Sequence, residues 1–110
     1  MGIASLLSER ATIRRATAKA GNAGEAETAW NDVAAGIPCR VERLAVEGSA
    51  ENGGLAVRVR ARAYFPAGTD LRAGGMDRVA VYGTEWRVLS ARLEGGGRER
   101  LLVAELWSDE

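Results

Sequence analysis

Four side chains at alternate positions give the sequence its clearest chemical feature: Arg58, Arg60, Arg62 and Tyr64. Side chains two residues apart on a β-strand point to the same face, so these four would form one basic surface. Arginine suits two kinds of partner, the phosphates of nucleic acid and the carboxylates of neighbouring strands or subunits. Proteins that bind single-stranded nucleic acid usually add several stacking aromatics, whereas Tyr64 stands alone here. We therefore favour ion pairing, with Glu85, Glu99 and Glu105 as the candidate partners.

Groups that commonly carry out catalysis are scarce. The sequence has no histidine, which removes the usual general base and the usual neutral metal ligand. Its one cysteine, Cys39, alternates with Ile37 and Val41 and is expected to face the core as a small hydrophobic residue. The glycine runs at 74–75 and 95–97 lack the following Lys and Ser or Thr of a phosphate loop. We therefore predict a protein that is not an enzyme and that binds no metal or cofactor.

Length and charge set further limits. A chain of 110 residues supports a single domain, residues 1–110, with a modest core. Its 15 basic residues, all arginine except Lys19, balance 15 acidic residues, which argues against general binding to polyanions. No apolar run approaches the roughly 20 residues of a membrane-spanning helix, and no secretory signal is recognisable. The pattern is typical of a protein made in the cytoplasm, without a membrane partner.

The hydrophobic pattern predicts mainly β-strands. The longest alternation runs from Leu55 to Phe65 and places the arginines opposite an apolar face. Shorter alternations predict strands near 11–17, 27–33, 36–44, 77–82, 85–94 and 98–107. Ile3, Leu6 and Leu7 lie at helical spacing and predict a short N-terminal helical segment within residues 1–10. The polar, glycine-rich stretch 45–54 predicts one long loop.

These elements indicate an all-β, mainly antiparallel fold, a small barrel or sandwich of about five or six strands. The phase of the alternation changes between Val88 and Leu89, which predicts a bulge or a strand buried on both faces. Trp30 and Trp86 are expected to fill the interior. Trp107, close to the C-terminus, is either a core plug or an anchor for another subunit.

The order of several motifs resembles one protein family. Pro-Cys-Arg-Val-Glu at 38–42 is followed by a long strand that ends in Tyr-Phe-Pro at 64–66. Gly-Thr-Asp-Leu-Arg-Ala-Gly at 68–74, Asp-Arg-Val at 77–79 and Trp-Arg-Val-Leu at 86–89 come next. This arrangement resembles the head-to-tail stopper proteins, also called head-closure or head-tail joining proteins, of long-tailed bacteriophages and gene transfer agents. The segment from Phe65 to Val79 carries most of the resemblance.

The resemblance implies a structural virion protein of the phage neck, made in the host cytoplasm. Such proteins form a homo-oligomeric ring, here expected to be dodecameric, between the portal-bound adaptor and the tail-terminator or tail tube protein. The ring closes the DNA-filled head and provides the tail docking surface, while double-stranded DNA passes without sequence-specific binding. In the family a long loop points into the channel and helps to retain DNA. The corresponding channel residues here are Glu47, Gly48, Ser49, Glu51, Asn52 and Gly53.

The charge pattern is consistent with this implication. Glu47 and Glu51, with no Lys or Arg in the loop 45–54, would form a negative collar that repels phosphate. Head-to-tail contacts need two complementary faces, and the basic strand face supplies one of them. The candidate subunit-interface residues are Arg58, Arg60, Arg62, Tyr64 and Trp107.

Two alternatives stay open at this point. One is a tail-completion protein or another component of the neck. The other is an oligonucleotide-binding-type barrel that uses the face from Arg58 to Tyr64 to bind single strands.

Overall fold

The computed structural model of the protein describes residues 6–21, 24, 26–51, 54–96 and 100–109, with the backbone alone for 47–51, 54–56 and 109. Within these residues the chain forms six β-strands: β1 (Glu9–Ala20), β2 (Ala26–Glu51), β3 (Gly54–Pro66), β4 (Asp77–Val81), β5 (Thr84–Glu94) and β6 (Leu101–Asp109). Every strand pair in this part of the chain is antiparallel. The prediction of an all-β, antiparallel fold is confirmed.

The strands form one sheet that closes on itself. Hydrogen-bonded neighbours follow the order β1-β2-β3-β6-β5-β4, and β4 also pairs with β1, which closes the barrel. Closure leaves no free edge along the paired stretches, so their backbone groups are satisfied within the sheet. The inward side chains form a single apolar core, whose largest members are Trp86, Phe65, Leu102 and Leu106.

The long strand β2 accounts for most of the difference between the predicted and the observed elements. Its first half, up to Cys39, pairs with β1, and its second half, from Arg40, pairs with β3. Gly36, with φ of +66°, lies where the register shifts between the Ile37 and Ala34 pairs. A glycine in this left-handed conformation allows the strand to bulge and turn without ending. The two strands predicted at 27–33 and 36–44 are therefore one bent strand.

Two two-stranded arms extend from the barrel. The first arm is residues 16–20 paired with 26–30, beyond the last pair between β1 and β4. The second arm is residues 48–51 paired with 54–57, beyond the last pair between β3 and β6. Because the arms contain opposite ends of β2, they leave the barrel in different directions. The molecule is accordingly elongated, with extents of 53 × 35 × 22 Å.

The second arm corrects the predicted long loop at 45–54. Residues 45–51 continue β2, and Gly54 begins β3, with Glu51 paired to Gly54. Glutamate, glycine and serine have low strand propensity, which is why this stretch predicted a loop. Backbone pairing with the alternating strand that follows outweighs that preference. Asn52 and Gly53 lie outside the described residues.

The predicted N-terminal helical segment is also wrong for the residues that the structure describes. Leu6 lies in a short 3₁₀ turn, and β1 already begins at Glu9. Leu7 is buried, and the Arg10 guanidinium donates to its carbonyl oxygen at 3.3 Å. An isolated turn this short is unstable as an α-helix, so packing of Leu7 determines the local conformation. Residues 1–5 lie outside the described residues.

The predicted irregularity near Val88 is confirmed as a bulge. β5 and β6 pair through Val88 with Leu106 and then through Ser90 with Glu105, which leaves Leu89 without an opposite residue. Val88 faces the core, whereas Leu89 is 44% exposed. The change of phase in the sequence therefore marks an extra residue in the strand.

Candidate interaction surfaces

The basic face predicted on β3 exists and lies on the outside of the barrel. Val59, Ala61 and Ala63 are buried inward, so Arg58, Arg60, Arg62 and Tyr64 point outward between them. These four residues of β3 pair with Asp109, Trp107, Glu105 and Val103 of β6, respectively. Sheet register thus brings together all five of the predicted interface residues.

Arg62 forms one of the ion pairs expected from the sequence. Its Nε donates to Glu105 Oε1 at 2.9 Å, between directly opposed residues of β3 and β6. This hydrogen bond is the main reason that the pKa of Arg62 is raised. The pair is partly exposed, so it orients the guanidinium and adds little to stability.

Glu85 has different partners from those predicted. It accepts from Arg78 Nη1 at 3.0 Å and from Arg14 Nη1 at 3.4 Å, on the outer face of β1, β4 and β5. Arg14 also bonds Asp32 at 3.2 Å, and the Arg78 guanidinium lies 4.0 Å from the centre of the Trp30 ring. Glu85 therefore belongs to a network on the other side of the barrel from Tyr64. Glu99 lies outside the described residues.

Trp107 stacks with two arginines on the outer surface. The guanidinium carbon of Arg58 lies 4.1 Å from its ring centre, and that of Arg87 lies 4.6 Å from it. Cation–π contacts of this kind hold a half-buried tryptophan in one orientation. The core-plug alternative for Trp107 is thus excluded. Trp86 is a core residue as predicted, whereas the prediction is wrong for Trp30, which lies on the first arm against Arg78 and outside the core. Since its own chain's guanidinium groups occupy the ring, Trp107 is a poor platform for base stacking.

Next to the basic face lies an apolar cleft, which we call the β2–β3 cleft. It has a volume of about 270 Å³ and is lined by Leu6, Leu7, Arg40, Glu42, Tyr64 and Leu101. Leu6 is 57% exposed at its rim. Arg40 and Glu42, which are 3.5 Å apart, supply polar groups on one side. The cleft therefore combines an apolar floor with hydrogen-bonding groups at the edge.

Three of the predicted channel residues, Gly48, Ser49 and Glu51, lie on the second arm, and Glu47 lies at its base. Glu47 is opposite Arg58, Gly48 opposite Val57, Ser49 opposite Ala56 and Glu51 opposite Gly54. They therefore belong to an extended ribbon joined to the basic face, and Glu47 has an arginine across the strand. Val46, which points to the same side as the core residue Val59, is 68% exposed.

A buried ion pair positions the segment that carries the family resemblance. Asp77 is fully buried, and Arg15 Nε and Nη2 donate to its two oxygens at 2.8 and 2.9 Å. The Arg72 N–H donates to the same carboxylate at 2.8 Å, and Arg15 also contacts Asp70 at 3.4 Å. The carboxylate raises the pKa of Arg15 through a side-chain hydrogen bond, its largest cause. This arrangement fixes the turn 66–76 on β1.

Candidate metal ligands are not clustered in the described part of the chain. No group of three or more His, Cys, Asp or Glu side chains that could hold a metal ion occurs there. Cys39 is buried as predicted, and burial raises the pKa of its thiol to about 11. Among the same residues, no helix is long and apolar enough to cross a bilayer.

The sequence did not predict two groups, the Arg15–Asp77 ion pair and the exposed side chain of Tyr82. Arg15 and Asp77 are 62 positions apart and meet only through the pairing of β1 with β4. The predicted strand 77–82 ends at Tyr82, but in the structure this residue lies in a tight turn and is 81% exposed. The Tyr82–Gly83 dipeptide between two alternating strands is the signal that could have located this turn.

Two solved structures share this fold. A chain of the virion of a native gene transfer agent particle superposes with a TM-score of 0.71 at 16% identity, over 94% of this chain and 96% of that chain. The phage-like element PBSX protein xkdH from Bacillus subtilis superposes with a TM-score of 0.54 at 16% identity, over 87% of this chain and 90% of that chain. The sequence matches no protein-family model and no curated protein. At these identities the likeness establishes a common fold.

Proposed function

We propose that this chain is a structural subunit of a phage-like particle, and that it forms a ring at the neck of the particle. In this role it closes the DNA-filled head, receives the tail and catalyses no reaction. The observation that carries the proposal is the match in fold, over 94% of this chain, to a chain of a gene transfer agent virion. The sequence resemblance to head-closure proteins independently points to the same kind of particle.

The surfaces of the barrel support a role in assembly. Ring subunits need two different complementary faces, and closed rings result when the rotation between copies is favourable. The basic face, the β2–β3 cleft and the second arm lie on β2, β3 and β6, while the Glu85 network, in which Glu85 and Asp32 are paired with Arg14 and Arg78, lies mainly on β1, β4 and β5. Opposite sides of the barrel thus differ in chemistry, as a head-to-tail contact requires.

The second arm supports the proposed retention of DNA. It is joined to the barrel at Glu47 and Arg58 and reaches beyond the last pair with β6. A two-stranded ribbon is stiffer than a loop, so copies of it around a ring would narrow a central channel. Glu47 and Glu51 would bring carboxylates near the passing phosphates.

Electron microscopy of purified chain mixed with tailless, DNA-filled heads that carry the portal and adaptor tests the proposal. We expect added density below the adaptor, with rotational symmetry and with one copy of this fold in each repeat. A protein that stays monomeric and never joins the neck would contradict it. Fluorescence anisotropy with labelled single-stranded DNA tests the oligonucleotide-binding alternative, for which tight, salt-dependent binding is required.

A further inference from the structure

Two arginines stack on one tryptophan at the outer surface of β3, β6 and β5, in an arrangement that we call the Trp107 cluster. The guanidinium carbons of Arg58 and Arg87 lie 4.1 and 4.6 Å, respectively, from the centre of the Trp107 ring. Arg58 belongs to β3 and Arg87 to β5, and both strands pair with β6, which carries the ring. Arg60, directly opposite Trp107, adds a third basic residue. Strand pairing thus gathers positive charge around one aromatic ring.

Arg58 and Arg87 differ from most other arginines in having no carboxylate partner among the described side chains. Both are exposed. Neither takes part in an ion pair within the described part of the chain. On β5, by contrast, the exposed Arg92 pairs with Glu94. The balanced net charge of the chain therefore conceals a local surplus of positive charge at the Trp107 cluster.

The two stacked guanidinium groups are close enough to act on one ligand. Their separation cannot exceed the sum of their distances to the ring centre, which is shorter than the Debye length of about 10 Å at 0.1 M salt. Stacking occupies the flat face of each guanidinium and leaves its N–H donors, which lie in the plane, available for an anion. The ring also restricts both side chains, so binding costs less conformational entropy. The Trp107 cluster is therefore a preorganised site for an oxyanion.

The carboxylates of a second copy are poorly suited to fill this site. Most of the described carboxylate side chains already pair with arginines of their own chain: Asp32, Glu42, Asp70, Asp77, Glu85, Glu94 and Glu105. Glu9 accepts the Val41 N–H, and Glu27 lies across the first arm from Lys19. Two neighbouring arginines need closely spaced anionic groups, which this part of the chain does not offer. A polyanion outside the chain fits the site better.

Duplex DNA carries such groups, since each strand has one phosphate for every 3.4 Å or so of helix axis. The position of the cluster also suits this ligand. Arg58 is the first residue of β3 that pairs with β6, and it lies opposite Glu47 at the base of the second arm. A ring whose second arms narrow the channel would therefore bring the Trp107 clusters, at the base of those arms, close to the DNA backbone.

We propose that Arg58 and Arg87, held by Trp107, bind phosphates of the double-stranded DNA that passes through the ring. This inference rests on the proposed function, because the ring is what surrounds the DNA. Phosphate contacts carry no sequence information and need no base stacking, in agreement with a tryptophan ring that is already covered by guanidinium groups. Each copy contributes a weak contact, and repetition around a ring makes the contacts additive. Tyr64, at the other end of the basic face, lines the β2–β3 cleft and remains a candidate for the subunit contact.

Fluorescence anisotropy of a labelled DNA duplex, titrated with the full-length chain at about 20 to about 200 mM salt, tests the contact. Arg58→Gln and Arg87→Gln should each raise the dissociation constant about fivefold at the lowest salt. Each should also reduce the slope of log K against log salt by about 1, the value for one lost phosphate contact. Arg92→Gln is the matched control, because it removes the same charge from β5, where Arg92 is already paired with Glu94. We expect the control to keep the natural slope, and thermal unfolding verifies that all three variants are folded.

The outcomes separate this inference from the proposed function. No duplex binding by the natural chain at the lowest salt, or equal slopes for all three variants, would overturn the DNA contact. The double variant Arg58→Gln/Arg87→Gln is then added to tailless heads and examined by electron microscopy, and we expect it to form neck rings as the natural chain does. Loss of the ring in this variant alone would assign the arginines to the subunit contact and refute the DNA contact. Absence of a neck ring with the natural chain would refute the proposed function, whatever the duplex titrations show.

Discussion

At the scale of single residues, the carboxylate of Asp77 is the most constrained polar group in the described chain. It is fully buried and accepts hydrogen bonds from Arg15 and from the Arg72 backbone. A buried charge is tolerated only when it is paired and hydrogen-bonded, and removal of one partner leaves the others unsatisfied. This side chain holds the turn 66–76 on β1 together with the Ala16 N–H, which donates to the Met76 carbonyl oxygen at 2.8 Å.

We predict that Asp77→Ala lowers the free energy of unfolding by about 3 kcal/mol or more, because it leaves buried donors without an acceptor. Urea denaturation followed by tryptophan fluorescence measures the loss. Asp70→Ala is the matched control, since Asp70 contacts the same arginine but its side chain is 67% exposed. The control should lose less than about 1 kcal/mol, and equal losses would contradict a special role for Asp77.

The thiol of Cys39 gives a prediction of pH dependence. Burial, the largest cause, raises its pKa to about 11 from an ordinary value near 9.0. The unfolded chain therefore loses this proton first as pH rises, so stability is full below pH 9, falls as pH approaches 11 and then levels off. Denaturation at a series of pH values should show this fall, and Cys39→Ala should reduce it. An identical pH profile in the variant would contradict the assignment.

At the scale of elements, sequence patterns predicted strands well wherever alternation was regular. Leu55 to Phe65, the bulge near Leu89 and the inward position of Cys39 could all be derived from period and phase. Elements held by long-range pairing were less predictable. Residues 45–51 have a loop-like composition, and only their pairing with 54–60 makes them a strand.

The candidate surfaces were likewise predictable where they depend on alternation within one strand, and unpredictable where they depend on pairing between distant strands. One strand's alternation was enough to place Arg58, Arg60, Arg62 and Tyr64 on one outer face. The stacking of Arg87 on Trp107 and the position of Tyr82 beside Val41 and Arg43 depend on strand order. Strand order in an antiparallel barrel is set by packing of the whole chain, which local patterns do not contain.

The β4–β5 hairpin gives a prediction about backbone strain, because Tyr82 and Gly83 both have positive φ. Tyr82→Asn should raise the free energy of unfolding by about 1 kcal/mol, because asparagine adopts the left-handed conformation more readily. Gly83→Ala should lower it by about 1 kcal/mol, since φ is +78° there. Thermal unfolding measures both. A Tyr82→Asn variant that is less stable than the natural chain would show that the tyrosine supports the fold itself.

At the scale of the whole molecule, the barrel lies at the centre, and the two ends of β2 extend from it as parts of two arms. The first arm pairs only β1 with β2, and the second pairs only β2 with β3 beyond the end of β6. Among the side chains that the structure describes, the apolar core contains none from residues 16–20, 26–30 or 57. Their length is better explained by contacts in an assembly than by the stability of one chain.

Removing paired residues from both strands of one arm at a time tests which arm retains DNA. Deletion of residues 48–51 and 54–57 joins Glu47 and Arg58 through Asn52–Gly53, a dipeptide that suits two-residue turns, and Glu47 already pairs with Arg58. We expect this variant to fold and to form neck rings. Tailless heads closed by it should release their DNA, because the ribbons that narrow the channel are missing. Nuclease-protected DNA per head, measured by quantitative amplification, gives the readout.

The matched control is deletion of residues 18–20 and 26–28, which keeps the pair between Thr17 and Ala29 in the first arm. It removes a similar length of ribbon from the opposite end of β2, so heads closed by it should keep their DNA. Normal retention with the shortened second arm, in heads whose rings are visible, would contradict the channel role while leaving the ring intact. Loss of DNA with both variants would instead indicate that closure depends on the general integrity of the ring. Only a selective loss with the second arm assigns DNA retention to that ribbon.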